Sequence, residues 1–102
     1  MGATAGYKEY DTMPQLSNHA SSRMGSRRIS NDDVATVMSY GRAYYVRGAV
    51  VYAVGRREAE MCRKEGLRSD RIQGLQVVCN PDDNTVITVY RNNDFSSLKR
   101  RN

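Results

Sequence analysis

The eighteen residues Gly74–Arg91, GLQVVCNPDDNTVITVYR, constrain the fold of this chain more than any other stretch. Leu75–Cys79 and Thr85–Arg91 are rich in β-branched and aromatic side chains, and Asn80-Pro81-Asp82-Asp83-Asn84 between them is dense turn chemistry. Pro81 sets φ for the second position of a turn, and Asn84 tolerates a left-handed backbone where the chain re-enters the sheet. The pattern therefore predicts a β-hairpin, placed at the centre of a sheet. Strict alternation along its second strand puts Ile87 and Val89 on one face and Val86, Thr88 and Tyr90 on the other.

Upstream, the chain divides at its glycines. Pro14 to Arg28 reads as a first helix, with Ser17 or Asn18 as its cap, Leu16, Ala20 and Met24 as its apolar line, and Gly25 near its end. Ser30 and Asp33 give a capping-box signal for a second helix, with Val34, Val37 and Met38 as its stripe and Gly41 as its stop. Ala43–Arg47 and Ala49–Val54 read as strands turning at Gly48. Arg56–Glu65 reads as a short third helix ending at Gly66, and Leu67–Gln73 as a polar connection anchored by Ile72.

The order α-α-β-β-α-β-β predicts an α+β domain: two N-terminal helices, then a four-stranded, mostly antiparallel sheet with an inserted short helix. At 102 residues the chain makes one domain with a modest core. We expect a flexible arm over residues 1–13, the domain over 14–98 and a basic tail over 99–102, with Phe95 and Leu98 as docking points before that tail.

Exclusions come next. No apolar run approaches the length of a membrane span, and MGATAGYKEYDT lacks the apolar core of a secretory signal, so a cytoplasmic location is expected. Cys62 and Cys79 have no CxxC spacing and read as two buried, reduced thiols. No metal-ligand spacing, phosphate loop or dinucleotide fingerprint is present, so no metal and no cofactor is expected. Asp82-Asp83 lacks the spaced ligands and terminal glutamate of a calcium loop.

Charge points to a partner. The net charge is +5, and of 16 basic residues only Lys8, Lys64 and Lys99 are lysines. The planar fork of arginine suits phosphate better than an ammonium does, so the balance points to a nucleic acid or another polyanion. His19 is the only histidine, the residue type whose ordinary pKa lies near neutrality. Arg23 and Arg27 follow it at i+4 and i+8 on one helix face. A proton-transfer group beside cations is what metal-independent RNA cleavage needs: a base for the 2′-hydroxyl and positive charge for the phosphorane. The same residues also read as a surface or capping histidine beside a solvated arginine line. Arg56-Arg57 reads as a phosphate clamp or as helix surface. Thr88, Tyr90 and Arg91 read as a hydroxyl, a stacking ring and a cation for RNA, or as ordinary sheet pairs.

Several segments together resemble a known family: Asn18-His19-Ala20, Arg23-Met24 and Arg27-Arg28-Ile29-Ser30, then Tyr40-Gly41 and Tyr52-Ala53-Val54-Gly55-Arg56-Arg57-Glu58, and last Gly74–Cys79 and Thr88–Asn92 running on to Asp94-Phe95. This pattern, over about residues 17–98, resembles the bacterial family catalogued as domain of unknown function 4258, which has been grouped with the barnase–EndoU–colicin–RelE class of RNase-like, toxin-like folds. The resemblance implies helices followed by a four-stranded sheet, and RNA cleavage without a metal. It maps the family's helix histidine to His19, its companion arginine to Arg23, its Gly-Arg-Arg-Glu turn to Gly55–Glu58 and its strand hydroxyl to Thr88.

The resulting expectation is a small basic RNA-binding or RNA-cleaving domain of toxin-like fold. His19, Arg23 and Thr88 form its catalytic set, and Arg27, Arg56, Arg57, Tyr90 and Arg91 hold nucleic acid. It requires His19 to look across a cleft at Thr88. The alternative is a non-catalytic interaction module of the same fold that docks a protein, such as an acidic antitoxin-like partner.

Overall fold

A computed structural model describes residues 14–92. Its elements are α1 (Asn18–Arg27), α2 (Asn31–Tyr40), β1 (Arg42–Val46), β2 (Ala49–Ala53), α3 (Arg56–Lys64), α4 (Ser69–Ile72), β3 (Leu75–Cys79) and β4 (Val86–Arg91). The four strands form one antiparallel sheet in the order β1-β2-β3-β4. This is the expected α+β order, with one addition. The segment read as a plain connection holds the single turn α4, which buries Ile72 against the core. The arm over residues 1–13 and the tail over 99–102 lie outside the described residues.

All four helices contribute to one core on one face of the sheet. Ala20 and Met24 of α1, Val34 and Val37 of α2, Ala59 and Cys62 of α3 and Ile72 of α4 meet Leu75, Val77, Cys79, Val86 and Val89. Removing these aliphatic side chains from water is the main driving force for the two layers to associate. Both cysteines are free and buried in this core. Burial pushes the Cys79 thiol up to about 11 and raises that of Cys62 as well, with Glu65 and Glu58 adding to the effect at Cys62.

Two details of the hairpin differ from simple alternation. First, it is not the centre of the sheet: β2 and β3 are the inner strands and β4 lies at the edge. Among the described residues, the outer side of β4 is met only at its start, where the Val86 N–H donates to the Gln15 carbonyl (2.8 Å) and the Ser17 N–H donates to the Val86 carbonyl (2.9 Å). Second, the β3–β4 register slips at Val78/Cys79, so that Cys79 pairs with Val86 and Val78 with Thr88. The extra residue, Ile87, is exposed, and Val86 joins Val89 in the core instead of facing the other way with Thr88 and Tyr90. A β-bulge shifts the two-residue period by one, which alternation alone does not reveal.

The turns follow the sequence chemistry. The Asp82 N–H donates to Asn80 Oδ1 (2.8 Å), the Thr85 N–H to Asp83 Oδ1 (3.0 Å), and Asn84 takes a left-handed φ of 63°. Arg47 (φ 52°) and Gly48 (φ 78°) form the two-residue turn between Val46 and Ala49, both left-handed as in the primed turns that match strand twist. Gly41 is required for a different reason than expected. It ends α2 in an extended conformation, but a Cβ there would lie 2.4 Å from the Val37 carbonyl and about 3 Å from the Ala53 backbone. Gly25 sits inside α1, which runs on to Arg27 and ends with Arg28 in the left-handed cap position.

Candidate functional site

The first helix is anchored at its start by Ser17. The Ser17 hydroxyl accepts the Ala20 N–H (3.0 Å) and donates to the Ile87 carbonyl (2.9 Å), while its backbone pairs with Val86. Ser17 is thus both the N-cap of α1 and the clasp that fixes the helix against β4. The cap function assigned as one alternative to His19 is therefore already filled. His19 is exposed and its side chain makes no hydrogen bond or ion pair among the described residues.

Arg23 and Arg27 continue from His19 along the same helix, about 6 Å apart per step. Arg27 is exposed, whereas Arg23 is half-buried, and its Nε is shut off from solvent with no acceptor among the described residues. A guanidinium N–H removed from water without a partner is costly. His19, Arg23 and Arg27 thus form one flank: an unengaged imidazole one turn from an incompletely satisfied guanidinium, with a free cation beyond it.

Thr88 and Tyr90 do not belong to that flank. The register pairs Thr88 with Val78 and Tyr90 with Gln76, and Val78 packs with Val51, Ala53, Tyr44 and Val46 in a separate cluster. α1 packs its Ala20 and Met24 on the opposite face, over Val86 and Val89. The sheet therefore lies between the imidazole-bearing helix and the strand hydroxyl, and the expected cleft between His19 and Thr88 does not form. The bulge does not alter this, because it moves Val86 inward and leaves Thr88 outward.

The other expected contacts are dispersed. Arg91 shares the helix-side face of β4, where its Nη1 donates to the Gln73 carbonyl (3.2 Å). Arg56 and Arg57 are exposed in the first turn of α3, whose N-terminus is closed by the Glu58 carboxylate accepting the Gly55 N–H (2.9 Å). That helix packs on α4 and α1 on β4, so the Gly55–Glu58 turn and the α1 flank belong to different parts of the layer. Arg63 is held by Glu60 (2.8 Å) in an exposed pair of small energetic weight. Arg23, Arg27, Arg28, Arg42, Arg47, Arg56 and Arg57 form no ion pair among the described residues.

One partly buried charge arrangement was not foreseen. Asp33 closes the capping box with Ser30 (3.0 and 3.1 Å) and also accepts from Arg71 Nε and Nη2 (3.3 and 3.1 Å). Burial pushes the Asp33 carboxyl up, but the hydrogen bonds from Arg71 and Ser30 outweigh it and hold the group below the usual carboxylate range. A cleft of about 300 Å³ lies there, lined by Asp32, Thr36, Leu67 and Arg68 around the pair. Its two central charges satisfy each other, and it ties α4 to the start of α2. Nothing in sequence spacing links residues 38 apart, so only the structure reveals it. Among the described residues, no cluster of three or more His, Cys, Asp or Glu side chains is placed to hold a metal ion.

These features define a small α+β domain with helices on one face of an antiparallel sheet and an arginine-bearing helical flank. A family model described as a domain of unknown function, DUF4258, matches residues 16–91, and the chain belongs to that family. No curated protein and no solved structure matches it. None of the described helices is long and apolar enough to cross a membrane.

Proposed function

We propose that this chain is a small basic RNA-binding domain that engages the sugar–phosphate backbone along α1; the cleavage expected from sequence required His19 to face Thr88 across a cleft, and the sheet stands between them. The observation that carries the reading is the state of the flank: exposed His19, one turn from Arg23, whose Nε has no acceptor. A phosphate seated between them meets one guanidinium and one imidazole without displacing any existing side-chain hydrogen bond of His19. Arg27 holds the neighbouring phosphate.

His19, Arg23 and Arg27 act here as a binding flank, in which the guanidinium groups hold successive phosphates and the imidazole lies beside them. Thr88 and Tyr90, on the other side of the sheet, have no part in this contact.

The test is titration of purified protein with single-stranded RNA, for wild type and for Arg23→Ala/Arg27→Ala. The reading expects binding that weakens as salt rises and that falls about 10-fold or more in the double variant. Absence of binding, or capture of an acidic protein instead, overturns the reading.

A further inference from the structure

The sheet has two edges, and among the described residues only one of them is met. At β4 the backbone of Gln15 and Ser17 pairs with Val86. β1 pairs with β2 on one side and, among the described residues, with no strand on the other. No described helix packs substantially on it either. Ala43 is exposed, and Tyr45, at 76%, is the most exposed large hydrophobic side chain among the described residues. An edge strand with an unpaired row of backbone donors and acceptors is a template for another strand.

Which backbone groups point outward follows from the turn. In a two-residue turn the flanking residues, here Val46 and Ala49, form a hydrogen-bonded pair. Such pairs recur at every second position of an antiparallel ladder, so Val46, Tyr44 and Arg42 spend their N–H and C=O groups on β2. Those of Ala43 and Tyr45 therefore point away from the sheet. An incoming strand must set its own outward residues against these two. A second copy does so in full in one antiparallel register: Ala43 opposite Tyr45, Tyr45 opposite Ala43, and Tyr44 opposite itself. Each Ala43–Tyr45 pair then exchanges both of its N–H···O bonds. The side chains fit the same register. The large Tyr45 ring meets the small Ala43 methyl on the helix side, and the two Tyr44 rings meet on the far face. Arg42 stands opposite Val46 and Arg47 opposite Gly41, so no arginine faces another.

We propose that β1 is a dimer edge: two copies of this chain pair β1 to β1 about a two-fold axis through Tyr44, joining their sheets into one, with both helix layers on the same side. The inference does not rest on the RNA reading. α1 packs on β4, at the opposite edge, and its flank stays open in the dimer.

Sedimentation equilibrium of the full chain, with amide hydrogen exchange followed over a range of protein concentrations, tests this. The Ala43 and Tyr45 amides are expected to gain protection as concentration rises, while those of Tyr44 and Val46, bonded to β2, are protected throughout. Because each copy carries a net charge of +5, association strengthens as salt screens the repulsion, the reverse of RNA binding. Tyr45→Lys weakens association at least about 10-fold, and Ala43→Pro, which removes only an outward N–H, does the same. A chain that stays monomeric at millimolar concentration overturns the proposal. So does protection of Ala43 and Tyr45 that is the same at every concentration, because the edge is then open in solution or closed within one chain. A dimer indifferent to both variants overturns it too, because another surface then forms the contact.

Discussion

Asp33 shows how one side chain is asked to do several jobs at once. It accepts the Ser30 N–H, completes the start of α2 and holds Arg71 of α4. Because its carboxyl is held below the usual range in the folded state, its contribution is full above the ordinary carboxylate pKa and is lost as pH falls through the lowered folded value. Asp33→Asn is therefore expected to cost about 1–2 kcal/mol at neutral pH, the scale of a lost cap and a charged hydrogen bond. The melting-temperature gap between wild type and variant narrows as pH falls below about 4. A gap independent of pH would show that the carboxylate charge is not involved. At the same scale, Arg23 and His19 carry the functional reading: one is a guanidinium with an unsatisfied Nε, the other an imidazole with no structural duty.

Among the elements, the hairpins separate what sequence discloses from what it hides. The Arg47-Gly48 turn, the capping box at Ser30 and the Asn80–Asn84 turn are local devices, so residue types a few positions apart announce them. The bulge at Val78/Cys79, the edge position of β4 and the Asp33–Arg71 bond are decided by partners distant in the chain, and no short window contains them. The candidate site divides the same way. His19, Arg23 and Arg27 were legible because one helix holds all three at a fixed spacing. Their separation from Thr88 was not, because it depends on which sheet face receives the helices. The short turn gives an element-scale prediction. At Gly48 (φ 78°) a Cβ would meet nothing within 4 Å, so the cost of Gly48→Val is one of backbone conformation alone. It is expected to be about 1–2 kcal/mol, seen as a lower thermal midpoint, with Gly48→Asn much milder because asparagine tolerates the left-handed region. Equal losses from both variants would contradict the turn assignment.

For the whole molecule, the two layers divide the labour. The sheet and four helices bury an aliphatic core in which the free thiols are inert. The charge excess of +5 is carried largely by arginines, eight of which form no ion pair among the described residues. Cations left unpaired by the protein's own carboxylates are available to a polyanion. If RNA is that polyanion and α1 is its seat, affinity must fall with salt in proportion to the phosphates engaged. The most direct measurement is the affinity for a single-stranded RNA as a function of salt concentration, for wild type and for Arg23→Ala/Arg27→Ala. The account predicts a linear fall of log affinity with log salt, and a slope shallower in the double variant by about 0.7 for each phosphate contact removed. A wild-type affinity that is absent or indifferent to salt, or a double variant with the wild-type slope, would contradict it.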